Sequence, residues 1–286
     1  MRVFQVAVVV MMSFVAMAQV RPKVQAAHVG FDRNDYPGDA ALPGLRKHFS
    51  FVGYWLTNPP GEKRNNWVGK RETLLRAGFG FLVLANGRSS DELKHGLTLL
   101  PQHHESRALT PMGWGEKDGG AAIAAAKREH FPPRTILFLD QEEGGRLEAE
   151  QTQYLFGWTE AVAKGGYRPG VYGSGQPIPD GPGKMVTTAQ DIREKVAALH
   201  LHPVAMWVYQ DACPPSNGCS VRGPAPGGSG TPDVVAWQYA QSPRRKEITA
   251  SCANTYAADG SCYAPGLPGI HLDLNVASSG DPSHGR

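Results

Sequence analysis

The chain has 286 residues, 41% hydrophobic and 19% charged, with a formal net charge of +3. That composition excludes general disorder and provides for a sizeable core. The slight positive excess, with no dense Lys/Arg stripe, argues against a nucleic-acid partner and is compatible with an anionic cell-wall partner.

Arg2 precedes an apolar run from Val3 to Met17, and Ala16-Met17-Ala18 offers a small-x-small cleavage site. This is the layout of a secretory signal peptide over residues 1–18. It predicts a protein that is secreted or held in the periplasm or cell envelope; an uncleaved anchor, or a later cut after VQA at 24–26, is the alternative. No later run is long enough to span a bilayer. About 260 residues remain, which suits one domain, placed at 28–280, and a monomer is expected.

Eight short apolar, β-rich runs follow in order: 28–33, 49–58, 79–87, 134–142, 167–175, 202–210, 234–241 and 270–278. Helix-like segments at 65–78, 119–131, 146–166 and 188–200 lie between them. Strand–helix alternation predicts an α/β fold with a parallel sheet. Eight strands favour a closed (β/α) TIM-like barrel with irregular last units over an open doubly wound sheet. No GxGxxG follows the first strand, so a dinucleotide site is disfavoured. The Pro/Gly/Ser tract at 215–232 reads as a rim loop, and Arg244-Arg245-Lys246 as a solvated loop.

Four cysteines in an exported chain read as two disulfides, most simply Cys213–Cys219 and Cys252–Cys262, although three connectivities are open. Their spacing does not suit zinc, and no metal or organic cofactor is expected.

In a parallel barrel, chemistry gathers at the carboxyl ends of the strands. Asp32, Asp140 with Glu142, and Asp273 fall late in the first, fourth and eighth runs, so they should share one rim. The same reading puts Trp55, Asn86, Tyr172, Trp207, Tyr209, Gln238 and Asn275 beside them as substrate-binding candidates. Residues two apart on a strand share a face, so Asp140 and Glu142 point the same way, about 7 Å apart at Cα. Glu143 is out of phase and reads as a loop acid near Arg146.

Neighbouring carboxylates raise each other's pKa and burial adds to it, so one keeps a proton for a leaving oxygen while the other stays ionised. That division suits glycosidic bond cleavage, with the aromatics offering flat faces to sugar rings. The bland alternative is an acid pair that caps a helix or pairs with Arg146, among tryptophans that are simply core. A nucleophile elbow at Ser174 fails because Tyr172 and Gln176 stand where glycines are needed. The histidines of 200–202 precede the sixth strand, and His103-His104 read as loop, which leaves a metal hydrolase disfavoured.

The strings GFDRNDYPG, FLDQE, GVYGSG, WQYAQ and HLDLNVAS, in that order from about residue 28 to residue 278, carry a resemblance. The chain resembles the glycoside-hydrolase-like domain family (domain of unknown function 1906) and, beyond it, the glycoside hydrolase family 25 lysozymes. The resemblance implies a modified (β/α) barrel and hydrolysis of β-1,4-linked amino sugars, as in peptidoglycan. It implies Glu142 as general acid, Asp140 as the second carboxylate, and Asp32 and Asp273 as supporting acids. The first motif departs from the lysozymes, with Asn34, Asp35 and Tyr36 where Ser-x-Trp-Gln is common. DQEEGGRL also looks like a family 3 β-N-acetylhexosaminidase string, but one glutamate must be deleted and no companion motif is present. The rival readings are a catalytically inactive glycan-binding barrel and a structural envelope protein.

Overall fold

The structure, a computed structural model, describes residues 27–98, 110–142, 144–211, 224–245 and 255–286. Residues 1–18, read above as a signal peptide, and His103-His104, Glu143, Lys246, Cys213, Cys219 and Cys252 lie outside the described residues. So does much of the 215–232 tract.

In chain order the elements begin with β1 (His28–Asp32), α1 (Leu42–Arg46), β2 (Phe51–Trp55), α2 (Arg71–Arg76), β3 (Gly80–Asn86), α3 (Ser90–Thr98) and α4 (Pro111–Arg128). Then come β4 (Ile136–Gln141), α5 (Ala149–Lys164), β5 (Arg168–Ser174), β6 (Ile178–Pro179), β7 (Met185–Val186), α6 (Thr188–Ala198) and β8 (Ala205–Tyr209). The chain closes with β9 (Ala236–Ala240), β10 (Tyr263–Ala264), β11 (Leu267–His271) and β12 (Asp273–Ala277). Eight strands form a closed barrel in the order β1-β12-β9-β8-β5-β4-β3-β2. Each of the eight apolar runs supplies one barrel strand. Their near-continuous apolar character fits strands covered on both faces, and β2 and β4 are buried along their whole length.

One strand departs from the parallel expectation. β12 runs antiparallel to both of its neighbours, β1 and β9. A parallel neighbour needs a crossover that returns the chain to the opposite end of the barrel. After β9 no α-helix occurs among the described residues of 241–272, and the β10–β11 hairpin leads into β12. The chain therefore enters β12 from the rim and runs down. The irregular last units are thus real, and they place the start of β12 where its end was expected.

Two helices differ from the sequence reading for local reasons. The expected helix at 65–78 shrinks to α2, because Asn65 accepts from the Trp67 backbone N–H (3.0 Å) and donates to the Trp55 carbonyl (2.7 Å). Such side-chain bonds compete with helical ones. Helix α4 starts well before its alanine-rich part: the Thr110 hydroxyl accepts from the Gly113 N–H and Pro111 occupies the first turn.

The barrel's amino end is closed by the C-terminal tail. The Ser283 backbone donates to the Phe81 carbonyl (2.8 Å) and accepts from the Ile136 N–H (2.8 Å), so the tail bridges β3 and β4. Gly80 permits this approach, since a Cβ there would stand 2.0 Å from the Gly280 carbonyl oxygen. Cys262 is a buried free thiol packed into the core as a small apolar side chain, so the expected staple is not formed at this residue.

Candidate functional site

A cleft of about 660 Å³ opens at the carboxyl-end rim. Asp32, Trp55, Asp140, Glu142, Tyr172, Trp207 and Asp273 all line it. The four acids come from three strands, yet the register explains the meeting. Asp32 ends β1 and pairs directly with Asp273, which starts the reversed β12. Facing side chains on antiparallel neighbours stand about 5 Å apart at Cβ. Asp140 sits near the end of β4 beside Asn86 and Tyr172. Glu142 follows one residue beyond that strand, where the side chain is exposed. Gly53 on β2 makes room for this arrangement, because a Cβ at that position would lie 2.4 Å from the Asp32 Cβ.

Beneath the acids a directional hydrogen-bond network converges on Asp32. Gln241 Nε2 donates to the Tyr172 hydroxyl (3.1 Å), which donates to Gln238 Oε1 (2.7 Å), and Gln238 Nε2 donates to Asp32 Oδ1 (2.9 Å). From the other side the Trp207 indole donates to Asn275 Oδ1 (2.8 Å), and Asn275 Nδ2 donates to the same Asp32 oxygen (2.5 Å). The indole fixes the Asn275 amide so that its NH2 faces the acid. Asp273 Oδ1 accepts from the Ser242 backbone N–H (2.6 Å).

Electrostatics follow from this burial. Desolvation pushes Asp32 up to about 6, with Glu142 adding to the rise and the two amide donors opposing it. Burial raises Asp273 well above the ordinary carboxylate range; the Asp32 charge adds to this, and the Ser242 N–H acts against it. The Tyr172 hydroxyl is raised by burial and then by Asp32, Glu142, Asp140 and Asp273. All four carboxyls thus act on one phenol.

The remaining candidates distribute unevenly. Gln238 and Asn275 are buried under the cleft as partners of Asp32. Asn86 lines a second cavity of about 450 Å³ that shares Pro60, Asp140 and Glu142 with the main cleft. The Tyr209 hydroxyl donates to the Glu142 carbonyl, holding the turn after β4. The reading of the aromatics as flat sugar platforms needs correction: Trp207 is 0% exposed, Trp55 4% and Tyr172 5%. They form the floor and wall, with the Tyr172 and Trp207 rings 4.5 Å apart and their polar tips drawn into the network, while the Trp55 indole donates to the Arg33 carbonyl (3.1 Å).

Arg244 and Arg245 lie in a loop, as expected, with Arg245 exposed. Arg244 and Arg245 line the cleft, as do Asn34, Gln241 and Ser242, none of which the sequence singled out as site residues. Arg146 pairs with Asp180, Asp191 and Glu194, away from the acid pair. His202 pairs with Glu160 at 2.9 Å. Among the described residues no cluster of His, Cys, Asp and Glu is arranged to hold a metal ion, and no helix is long and apolar enough to cross a membrane.

Several solved structures are similar to the chain. An uncharacterized B. stearothermophilus protein is 18% identical, with 87% of this chain and 95% of that one covered at a TM-score of 0.52, and it shows the shared fold. The Tat-secreted protein Rv2525c of Mycobacterium tuberculosis, in complex with L-tartrate, is 11% identical over 88% of this chain and 94% of its own, with a TM-score of 0.45. The catalytic domain of endolysin ply40 from bacteriophage P40 of Listeria monocytogenes is 16% identical over 88% and 93%, with a TM-score of 0.44. No curated protein matches the chain. Residues 48–213 match the family described as Rv2525c-like, glycoside hydrolase-like domain. That segment is more than half of the chain and carries β2 to β8 with Asp140 and Glu142, so the chain belongs to the Rv2525c-like glycoside hydrolase-like domain family.

Proposed function

We propose that the chain is an exported glycoside hydrolase that cleaves a β-1,4-linked amino-sugar polymer, peptidoglycan or a related glycan, by carboxylate acid–base catalysis. The observation that carries this reading is the pair Asp140 and Glu142, two residues apart in the wall of a cleft floored by Asp32 and Asp273. Asp140 lies in β4 and Glu142 one residue past its end, so both acids line the same cleft, as the paired carboxyls of glycosidases do at roughly 5 to 9.5 Å.

Glu142, on the exposed side, gives its proton to the leaving glycosidic oxygen. Asp140 is only 6% exposed, and its negative charge stabilises the positive charge that builds on the reacting carbon or orients an N-acetyl group. Asp32, Asp273 and their amide donors hold the floor. The second cavity continues past the same two acids. Sugar units then fit on both sides of the cleaved bond, as a polymer substrate requires.

The test is incubation of purified mature protein with defined muropeptides and chitin fragments, with products read by mass. New reducing ends from the parent, and none from Glu142→Gln with its melting temperature unchanged, are expected. A catalytically inactive glycan-binding barrel would bind the same fragments and release nothing. Turnover retained in Glu142→Gln would remove that residue from the acid role.

A further inference from the structure

The strand that carries Asp140 ends at Gln141, so Glu142 is presented to the cleft by the loop between β4 and α5 and not by the sheet. Among the described residues, no backbone–backbone hydrogen bond outside the helices and strands reaches residues 144–147 of that loop. Its course is set by side chains from elements later in the chain.

The near end is held at Glu142 itself, whose carbonyl accepts from the Tyr209 hydroxyl at the end of β8. The far end is held by α6. The Leu147 backbone N–H donates to Asp191 Oδ2 (2.9 Å), and the Leu147 carbonyl accepts from Lys195 Nζ (3.0 Å). Arg146 donates to Asp191 Oδ1 (2.9 Å) and, with its other nitrogens, to both carboxylate oxygens of Asp180 between β6 and β7 (2.9 and 2.7 Å). Lys195 Nζ also donates to Asp191 Oδ2 (2.7 Å). Between the two ends Gly145 takes a φ of 83°, and a Cβ there would lie 2.2 Å from Ile178 Cδ1.

Asp191 is the centre of this clasp. Its side chain is 0% exposed, and two of the three donors on it belong to loop residues 146 and 147. An exposed ion pair contributes little, whereas a buried carboxylate is strongly destabilising once its partners are removed, so its bonds keep their geometry. Helix α6 already packs inward through Ala189 and Ile192, both 0% exposed. The charge at Asp191 serves the loop.

We propose that Asp191, with Arg146 and Lys195, is a positioning group for the acid: the clasp fixes the loop that presents Glu142 and thereby sets the distance over which its proton passes. The proposal rests on the glycoside hydrolase reading and adds to it residues that touch no substrate. It also gives a role to the Gly-Gly-Arg string that follows the acids, in which Gly145 bends the loop and Arg146 ties its end to α6. A displacement of about 1 Å at a reacting group costs on the order of 100-fold in rate.

The test compares kcat, KM and calorimetric glycan affinity on one defined glycan, at a temperature where circular dichroism shows every variant folded. Asp191→Asn keeps the shape and removes the charge that holds both cations. It should lower kcat roughly 10- to 100-fold and leave KM and Kd within about threefold of the parent. Arg146 is half-exposed, so its variants carry the same test without disturbing the interior. Arg146→Gln should lose kcat in the same way, and Arg146→Lys, which keeps a cation for Asp191, should restore most of the loss. Hydrogen exchange at the amides of 144–147 should quicken in Asp191→Asn. Gly80→Ala, at the opposite end of the barrel, should lose stability yet keep both kcat and the loop's protection. A kcat within about twofold of the parent in Asp191→Asn, an equal fall in Gly80→Ala, a loss carried by KM alone, or a lost kcat with loop exchange unchanged would each overturn the proposal. Any of these in an active parent leaves the hydrolase reading standing, whereas a parent that cleaves no glycan sinks both.

Discussion

Replacing Asp32 with asparagine probes the floor of the cleft through its proton. In the folded chain Asp32 titrates at about 6, against an ordinary value of 3.8. Between those values the folded protein keeps a proton that the unfolded chain has released. Stability from this group is therefore fully present below the lower value and is lost as pH rises through the upper one. A shift of about two units corresponds to about 3 kcal/mol at 1.36 kcal/mol per unit. Asn has nearly the same shape, keeps a carbonyl oxygen for the Gln238 and Asn275 donors, and does not titrate. Relative to the parent, Asp32→Asn should gain up to about 3 kcal/mol of unfolding free energy between about pH 4 and pH 7. It should also lower the Asp273 pKa, since the Asp32 charge is one of the causes holding that value up. Urea unfolding of both proteins across this pH range supplies the comparison. Parallel curves, or a parent that becomes more stable as pH rises relative to the variant, would refute the reasoning. An acid that weakens the fold at neutral pH belongs to the site rather than to the scaffold.

Other outcomes follow from the same geometry. Asn275→Ala removes a donor that stabilises the ionised form of Asp32, so the Asp32 pKa should rise further, visible as an upward shift of its carboxyl resonance in an NMR titration. Gly53→Ala puts a Cβ 2.4 Å from that of Asp32 and should cost about 1 to 3 kcal/mol while cutting glycan turnover. Gly80→Ala, whose Cβ would meet the tail at 2.0 Å, should lose similar stability yet keep its turnover, because the tail closes the opposite end of the barrel. Denaturation and reducing-end assays on the two glycine variants separate these effects, and equal turnover losses would contradict the placement of Gly53 beside the acid.

The barrel was legible because each of its strands is an unbroken apolar run set off by polar or glycine-rich turns, and eight such runs leave few alternatives. The direction of β12 was not. An apolar run reads alike in either direction, and the reversal shows only in the antiparallel pairing of β12 with β1 and β9. The reversal also explains why Asp273 joins the rim from the start of its strand rather than from the end. Asp140 and Glu142 could be paired by period-two spacing alone. Trp207 and Tyr172 were located correctly but given the wrong exposure, because a sequence shows an aromatic ring and not the amide that its polar tip will hold. Arg244 and Arg245 were missed for a similar reason. Their segment has no regular element to position it, and the anchors at Asp273, Cys262 and Gly260 are all distant in sequence or exist only once the rim has folded.

The central claim is that a saccharide lies across Asp140 and Glu142 with its glycosidic oxygen facing residue 142. A crystal structure of Glu142→Gln soaked with an amino-sugar oligosaccharide measures this directly. The account predicts that the bridging oxygen lies within roughly 2.6 to 3.2 Å of the residue 142 side chain, with sugar units in both joined cavities. A saccharide seated elsewhere on the barrel, or lying in the cleft with no linkage near residue 142, would contradict it.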